Sequence, residues 1–300
     1  TATGKTKVSV DLSKAINGAV VSADSVQVYK YMDIGSAKVK HDEMQGIKHY
    51  LVDQFYPDEK FSVAKFQKYA TKYINEIYEN NQQPILVGGT GFYINSVIYN
   101  NDFTGAKENA LVRQRYYDIA LVKGNEYLHS LLLAIDEKSY KTIHFNNVKR
   151  VVRALEFYED NGYPISTHNA QEKEKKPYYN VKMVILNMDR QILYDRINKR
   201  VDIMIAEGLV EEVIRLVELG YKDTLAMTAI GYKQILMYIE GKITLAEAIE
   251  LVKMESRRFA KRQVTWFKHQ NKDNALWVDV LEDSYDIMLE KIVKYISQGN

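Results

Sequence analysis

The first residues of the chain have the chemistry of a phosphate-binding loop. The run Thr1-Ala2-Thr3-Gly4-Lys5-Thr6 matches the end of the pattern G-x-x-x-x-G-K-[ST] and leads into a helical pattern. In such a loop, backbone N–H groups cradle a phosphate, the lysine neutralises it and the hydroxyl residue ligates Mg²⁺. Because so short a match also arises by chance, the alternative is a plain turn before a helix. We favour the phosphate loop, whose first glycine and preceding strand would lie before Thr1.

Two further segments place polar groups after predicted strands. Asp24 follows a strand at Ala19–Val21, and Thr90 follows a strand at Ile85–Val87 within Gly88-Gly89-Thr90-Gly91. Open α/β sheets bind ligands at the carboxyl ends of their strands, so we expect Asp24 and Thr90 to face the phosphate loop. Thr90 would present a hydroxyl and an N–H at a helix N-terminus. The alternatives are that Asp24 caps a helix and that the glycines let a helix pack closely on the sheet.

Two clusters of basic residues could bind a polyanion. The segment 253–268 holds six basic residues and one acidic residue, and its cations are Lys253, Arg257, Arg258, Lys261, Arg262 and Lys268. Trp266 and Phe267 lie among them, and Lys149, Arg150 and Arg153 form the second cluster. A run of charge is most often a solvated helix face. Beside a phosphate site, however, two such clusters favour RNA, whose phosphates attract Lys and Arg and whose bases stack on aromatic rings.

Short apolar runs alternate with helical patterns along the chain. The runs predicted as buried parallel strands are Ala19–Val21, Tyr50–Val52, Ile85–Val87, Val181–Leu186 and Ala275–Val278. Between two of them, Ser62 caps an amphipathic helix, which completes a β-α-β unit. We therefore predict an α/β fold, with a P-loop NTPase-like parallel sheet flanked by helices.

The middle of the chain reads as an all-helical insertion. We assign residues 1–104 and 178–300 to a P-loop catalytic core and residues 105–177 to the insertion, with Gln171–Lys176 as a solvated linker. From residue 191 to about 270 we expect helices interrupted near three glycines. Glu211 and Glu212 are interpreted as helix surface.

Composition narrows the possible classes of function. The 300 residues carry 41 Lys and Arg against 39 Asp and Glu, so a surface for polyanions must come from local clustering. Without cysteine there is no disulfide framework, thiolate zinc site or Cys nucleophile, which favours a cytoplasmic location. No window approaches eighteen uninterrupted apolar residues and no signal peptide is evident, so we expect a soluble protein without a membrane partner. No obligate protein partner is inferred.

Seven short segments follow one another over nearly the whole chain. They are Thr1–Thr6, Ser22–Tyr29, Met32–Lys38, Leu86–Gly91, Asn147–Glu156, Ala229–Gln234 and Ala260–Trp266. In this order they resemble the tRNA dimethylallyltransferases, also called tRNA isopentenyltransferases. Some positions depart from the family pattern: Ser36 replaces the usual Thr, Tyr31 and Val39 stand where Gly and Pro are frequent, and Phe145 stands where Pro usually precedes Asn. None of these departures removes a charged or catalytic group.

The resemblance implies a reaction and a set of site residues. The reaction is transfer of a dimethylallyl group from dimethylallyl diphosphate to N6 of the adenine 3′ of the anticodon, in tRNAs that read codons beginning with U. It implies Mg²⁺ and no need for ATP. By position, Asp24 corresponds to the general base, Thr90 to a contact of the diphosphate and its leaving oxygen, and Lys5 and Thr6 to diphosphate and metal contacts, Thr6 holding the metal. The loop residues Thr1, Ala2, Thr3 and Gly4 complete the diphosphate site.

The resemblance also assigns segments to the anticodon stem-loop of tRNA. The residues expected to contact it are Asp24, Ser25, Val26, Gln27, Lys149, Arg150, Arg153, Lys261, Arg262, Gln263 and Trp266, and the basic cluster adds Arg257. We expect the insertion to grip one side of the stem-loop and the segment 257–268 the other.

The residues support this chemistry without the family name. The exocyclic amine of adenine is a weak nucleophile, so a carboxylate such as Asp24 must accept its proton as the C–N bond forms. An allylic carbon loses diphosphate readily only where fixed positive groups meet the developing charge, and Lys5, loop N–H groups and Mg²⁺ can supply them. A stacked adenine must also be flipped out to reach the site. Two alternatives stay open: a small-molecule or nucleoside kinase, and an RNA-binding P-loop protein without catalysis.

Overall fold

The fold is built on short parallel strands flanked by helices. The computed structural model describes residues 2–103, 109–270 and 275–298, so the predicted diphosphate contact Thr1 lies outside the described residues. The described strands are β1 (Gly18–Ala23), β2 (His49–Tyr50), β3 (Gln83–Gly88), β4 (Met183–Asn187) and β5 (Ala275–Asp279). The described helices are α1 (Lys5–Ala15), α2 (His41–Met44), α3 (Val63–Glu79), α4 (Gly91–Ile98), α5 (Ala110–Lys123), α6 (Asn125–Ser130), α7 (Leu132–Ile135), α8 (Glu137–Thr142), α9 (Val148–Asn161), α10 (Ile165–Glu174), α11 (Arg190–Ala206), α12 (Leu209–Glu218), α13 (Tyr232–Ile239), α14 (Leu245–Gln270) and α15 (Tyr285–Ser297).

Strand β1 is the centre of the first sheet. It is buried along its whole length because its apolar and small side chains fill both faces. It pairs in parallel with β2 on one side and β3 on the other, and Ala23 at its end pairs with Gly88 at the end of β3. The predicted strands at Ala19–Val21 and Ile85–Val87 are thus confirmed, and both end at the same level.

The predicted strand Tyr50–Val52 is wrong beyond its first residue. β2 stops at Tyr50 because the backbone turns there, with φ of 60° at Leu51 and 54° at Asp53. Neither left-handed value is compatible with a continuing strand. The apolar character of Leu51 reflects its burial in a turn, where it is 1% exposed.

Helix α1 links the first sheet to the second. β4 and β5 form a separate parallel pair. Val8 and Leu12 of α1 pack with Val278 of β5, and Ile85 of β3 and Val184 of β4 join the same apolar cluster. The phosphate-loop helix is therefore held by apolar contacts with both sheets.

Helix α3 begins where the sequence predicts. The Ser62 Oγ accepts a hydrogen bond from the N–H of Lys65 at 3.2 Å, which satisfies one of the free donors of the first turn. Phe66, Ala70 and Ile77 are buried on the inner face of the helix. The crossover between β2 and β3 is thus confirmed as a helix.

The described chain divides into two compact units. The first comprises residues 1–97 and 180–300, and the second residues 98–179. The second unit is helical and has its own core, in which Leu128, Leu132, Val151 and Leu155 are almost fully buried. The assignment of 105–177 as a domain that grips tRNA stays a prediction.

The linker predicted at Gln171–Lys176 is wrong for its first four residues. They belong to helix α10, which continues to Glu174. The Glu172 carboxylate accepts hydrogen bonds from the Asn101 side chain at 2.8 Å and the Asp102 N–H at 3.1 Å, and pairs with Lys175 at 2.7 Å. The alternating charges are therefore ordered by contacts that the local pattern does not reveal.

No helix among the described ranges has the length and apolar character needed to cross a membrane.

The helical unit contains a buried carboxylate whose loss should destabilise it. Glu156 is completely buried, accepts the Asn109 N–H at 2.9 Å and pairs with Arg113 at 2.9 Å and Arg153 at 2.8 Å. We expect Glu156→Gln to lower the free energy of unfolding of this unit by about 2 kcal/mol, because charge-assisted hydrogen bonds are replaced by weaker ones.

Urea denaturation and hydrogen exchange of residues 98–179 provide the measurement. The matched control is Glu159→Gln on the same helix, whose partly exposed carboxylate pairs with Arg115. A surface pair contributes less than about 1 kcal/mol, so the control should unfold almost as the parent does. Equal losses in the two variants would contradict the assigned role of Glu156.

Candidate functional site

The phosphate loop has the backbone geometry of an anion cradle. Ala2 and Gly4 have positive φ values of 56° and 81°, and helix α1 starts at Lys5 immediately afterwards. A backbone in which left-handed residues stand on both sides of Thr3 turns successive N–H groups toward one point. The free N–H groups in the first turn of a helix also point toward an anion bound there. Lys5 and Thr6 occupy the first two helical positions, as the motif predicts.

Asp24 and Thr90 leave the sheet side by side. They follow β1 and β3, whose ends Ala23 and Gly88 are paired, and the Thr90 N–H donates to the Ala23 carbonyl at 3.4 Å. The predicted position of both residues at one sheet edge is thus observed. The Thr90 N–H faces this carbonyl, which leaves the hydroxyl as the group of Thr90 best suited to a ligand.

The Asp24 carboxylate is oriented by its own turn. Its Oδ1 accepts the N–H of Val26 at 2.8 Å and of Gln27 at 3.2 Å. Residues 24–27 do not form a helix, so Asp24 closes a turn and does not cap a helix. Both of these hydrogen bonds use the same oxygen, and Oδ2 is the oxygen that can meet a substrate.

Lys5 and Asp24 interact electrostatically. Burial lowers the pKa of the Lys5 ammonium, the negative charge of Asp24 works in the opposite direction, and the positive charge of Arg200 lowers the pKa further. Burial also raises the pKa of Tyr93, with smaller contributions from Tyr29 and Asp24, so this phenol stays protonated beside the site. Lys5 and Asp24, which were predicted from separate motifs, therefore lie within electrostatic range of each other.

Arg200 is a cation near Lys5 that sequence reasoning did not single out. It lies on α11, which follows β4, and it brings a second cation into electrostatic range of Lys5. Burial lowers the pKa of the Arg200 guanidinium, and the negative charge of Glu43 works in the opposite direction. The only signal in the sequence was its place on the helix after a predicted strand, and the strong basic clusters elsewhere outweighed it.

Two residues predicted to contact tRNA also pack against the glycine-rich loop, residues 88–91. The Gln263 side chain of α14 donates to the Gly89 carbonyl at 2.9 Å. A Cβ at Gly89 would lie 2.0 Å from the Gln263 amide nitrogen, and a Cβ at Gly91 would lie 2.3 Å from the Trp266 ring. Close packing thus explains these glycines, and α14 braces the loop that carries Thr90.

The remaining predicted tRNA contacts differ in exposure. Lys261 and Arg262 are exposed on α14, whereas Arg257 donates to the Asn198 side chain at 2.6 Å. Ser25, Val26 and Gln27 are half-buried beside Asp24. In the helical unit, Lys149 and Arg150 are exposed, and Arg153 is held by Glu156. The clusters around 150 and 260 belong to different units, and each is described separately.

The oxygen donors at the site fit a magnesium ion that a ligand helps to hold. Among the described residues, no group of three or more His, Cys, Asp or Glu side chains could form a protein cage for a metal. Thr6, at the start of α1, and Asp24 do provide hard oxygen donors near the phosphate loop. Mg²⁺ typically binds one or two such groups together with substrate phosphates.

Comparisons with known proteins cover nearly the whole chain. Residues 27–270 match the family described as IPP transferase. A tRNA dimethylallyltransferase of Acetivibrio thermocellus is 49% identical over 296 residues, which span 98% of this chain and 94% of that protein. The full-length tRNA isopentenylpyrophosphate transferase of Bacillus halodurans has a similar structure, with a TM-score of 0.74, 44% identity, and coverage of 99% of this chain and 92% of that one.

A eukaryotic dimethylallyltransferase acting on tRNA is also similar in structure. The TM-score is 0.80 at 25% identity, and the match covers 96% of this chain and 74% of that one. These similarities confirm the predicted α/β fold class, a P-loop NTPase-like parallel sheet flanked by helices.

The packing of Trp266 on the glycine-rich loop yields a prediction. We expect Gly91→Ala to lower the free energy of unfolding by about 1–3 kcal/mol and to shift the emission of Trp266, because the new methyl group overlaps a rigid ring. Gly89→Ala is the matched comparison, since its methyl group meets only the end of the flexible Gln263 side chain.

Both variants are best made in a Trp277→Phe background. The chain has two tryptophans, so Trp266 is then the only one that contributes to the tryptophan emission. Urea titration followed by fluorescence then measures stability and local packing together. An unchanged Trp266 emission in Gly91→Ala would show that the ring does not rest on this glycine.

Proposed function

Because the chain belongs to the IPP transferase family, we propose that it transfers a dimethylallyl group from dimethylallyl diphosphate to N6 of an adenine in tRNA. The family membership confirms the resemblance of the seven segments. The adenine is the one 3′ of the anticodon in tRNAs that read codons beginning with U. The observation that carries the proposal is that Asp24 and Thr90 leave two paired strands side by side, with the Lys5 ammonium of the phosphate loop within electrostatic range of Asp24. The proposed compartment is the cytoplasm.

In the proposed reaction, one bond forms as another breaks. The lone pair of the adenine N6 attacks C1 of the dimethylallyl group, and the C1–O bond breaks with its electron pair leaving on the diphosphate. The N6 proton passes to Asp24, whose Oδ1 is held by the N–H groups of Val26 and Gln27 and whose Oδ2 faces the nucleophile. The products are N6-isopentenyladenosine in tRNA and free diphosphate.

The leaving group is stabilised by fixed positive groups. The Lys5 ammonium, the Arg200 guanidinium and the N–H groups of the loop 2–5 bind the diphosphate oxygens, and the Thr90 hydroxyl donates to the leaving oxygen. Thr6 would hold Mg²⁺ through its hydroxyl, and the ion would add positive charge to the diphosphate. Because these groups are positioned before the reaction, little reorganisation is needed as charge develops.

The polynucleotide substrate requires cations outside this pocket. Lys261 and Arg262 on α14, with Lys149 and Arg150 in the helical unit, are exposed and suited to phosphates of the anticodon stem-loop. A kinase of small molecules has no need of these residues. The comparisons likewise do not favour a kinase.

A paired assay tests the function against its alternatives. The protein is given unmodified tRNA with radiolabelled dimethylallyl diphosphate, and in parallel tRNA or nucleosides with γ-labelled ATP. Label entering tRNA only from the prenyl donor supports the proposal. Transfer of the γ-phosphate to a small acceptor would indicate the kinase, and tRNA binding without any transfer would indicate the binding protein.

The role of Asp24 can be separated from its role in the turn. In Asp24→Asn, the amide oxygen can still accept the N–H groups of Val26 and Gln27, but the side chain cannot take a proton. We expect kcat to fall by about 100- to 10,000-fold, while tRNA binding measured by filter retention changes by less than about twofold. Weaker tRNA binding with undiminished single-turnover chemistry in the bound complexes would overturn the assignment of Asp24 as the base.

Arg200 should affect the diphosphate donor more than tRNA. We expect Arg200→Gln to raise the KM for dimethylallyl diphosphate by about tenfold or more, because a charge-assisted hydrogen bond is lost. Arg196→Gln is the control, since Arg196 is another exposed cation of the same helix whose charge is not among those that shift the pKa of Lys5. Similar changes in both variants would mean that Arg200 acts only through the general charge of α11.

A further inference from the structure

We propose that Glu212, a buried carboxylate on α12, is a positioning residue that holds Asp24 in its reactive orientation through the loop 32–38. The inference rests on the proposed function, because its readout is prenyl transfer. Glu212 does not reach the substrate pocket through any contact that the structure describes. It acts through a chain of hydrogen bonds that ends on the Asp24 carboxylate.

The first link joins Glu212 to the backbone of the loop. Its Oε2 accepts the N–H groups of Asp33 at 2.9 Å and Ile34 at 2.8 Å, and its Oε1 accepts the N–H of Gly35 at 3.1 Å. The Tyr232 hydroxyl of α13 donates to Oε1 at 2.7 Å. Four donors therefore surround a carboxylate whose residue is only 4% exposed, which makes these hydrogen bonds strong and their loss costly.

The second link runs from the loop to Asp24. The Gln27 side-chain amide donates to the carbonyl of Ser36 at 3.3 Å and of Ala37 at 3.0 Å. The Gln27 backbone N–H in turn donates to Asp24 Oδ1. Gln27 is thus held between the loop that Glu212 anchors and the carboxylate that Asp24 presents.

The loop has little freedom to adopt another position. A Cβ at Gly35 would lie 2.6 Å from the Tyr232 ring and 2.9 Å from Leu209, so the backbone here lies directly against α12 and α13. At the end of the loop, Lys38 donates to the Tyr29 carbonyl at 2.6 Å and pairs with Asp33 at 2.5 Å and Asp53 at 2.7 Å. Glu212 holds residues 33–35, which directly precede the two carbonyls that Gln27 binds, so removing this anchor should be felt at Gln27.

A carboxylate suits this position better than a neutral side chain. Its two oxygens accept in several directions at once, whereas a Gln amide has one acceptor and an NH₂ group that can only donate. In Glu212→Gln, at least one of the three backbone N–H groups loses its partner, although volume is nearly unchanged. Tyr232→Phe removes one donor and leaves the three backbone hydrogen bonds in place.

The test is a double-mutant cycle on prenyl transfer. We expect Glu212→Gln to lower kcat by about 10- to 100-fold, with the KM for tRNA and for dimethylallyl diphosphate changed by less than about threefold. Gln27→Met removes the intermediate link while keeping side-chain length. If Glu212 acts through Gln27, the double variant should lose little more activity than Gln27→Met alone.

A control variant and a milder variant keep the result interpretable. Tyr285→Phe removes the 2.5 Å hydrogen bond that Tyr285 of α15 donates to Asp11 of α1, and neither residue belongs to α12 or to the loop 32–38. This variant should keep kcat within about twofold of the parent value. If Glu212→Gln does not fold, as judged by circular dichroism and urea titration, the cycle is run with Tyr232→Phe, for which we expect a loss of about threefold.

The outcomes separate two failures. If the parent enzyme transfers no prenyl group to tRNA, the proposed function itself fails. If the parent is active, the positioning role is overturned by an unchanged kcat in folded Glu212→Gln, by multiplicative losses in the cycle, or by an equal loss in Tyr285→Phe.

Discussion

The parallel pairing of β1 and β3 in one register is the constraint on which the site depends. Ala23 and Gly88 are paired at the ends of the two strands, so Asp24 and Thr90 emerge next to each other. The pairing is close, because a Cβ at Gly88 would lie only 2.2 Å from the Ala23 carbonyl oxygen. A slip of one residue would turn every side chain of the strand to the opposite face and separate the carboxylate from the hydroxyl.

The charges around the phosphate loop support the proposed binding of a diphosphate. Burial disfavours the charged form of Lys5, and the nearby positive charge of Arg200 acts in the same direction, while Asp24 provides an opposing negative charge. An anion in the loop at Gly4 would compensate both cations, and the N–H groups of the helix start would bind its oxygens. Lys5 and Asp24 are half-buried, so their charges are less screened by water than charges on an open surface.

Helix α14 carries both packed and exposed side chains near its end. Gln263 and Trp266 pack against the glycine-rich loop, whereas Lys261 and Arg262 are exposed. At about 100° per residue, Lys261 lies roughly opposite Gln263, and Arg262 lies at the edge of the packed side, about 40° from Trp266. Tyr31 has a φ of 65°, a conformation that glycine adopts more freely than tyrosine does.

The sequence by itself determined the local elements and the chemistry of the motifs. The phosphate loop before α1, the Ser62 cap and strands β1 and β3 could be predicted because they depend on neighbouring residues, through capping, turn preference and apolar runs. The interpretation of Glu212 as helix surface was wrong, and Arg200 and the bracing role of Gln263 were missed. Only the tertiary structure decided these, because a polar side chain acquires its role from donors and charges that the fold brings from distant parts of the chain.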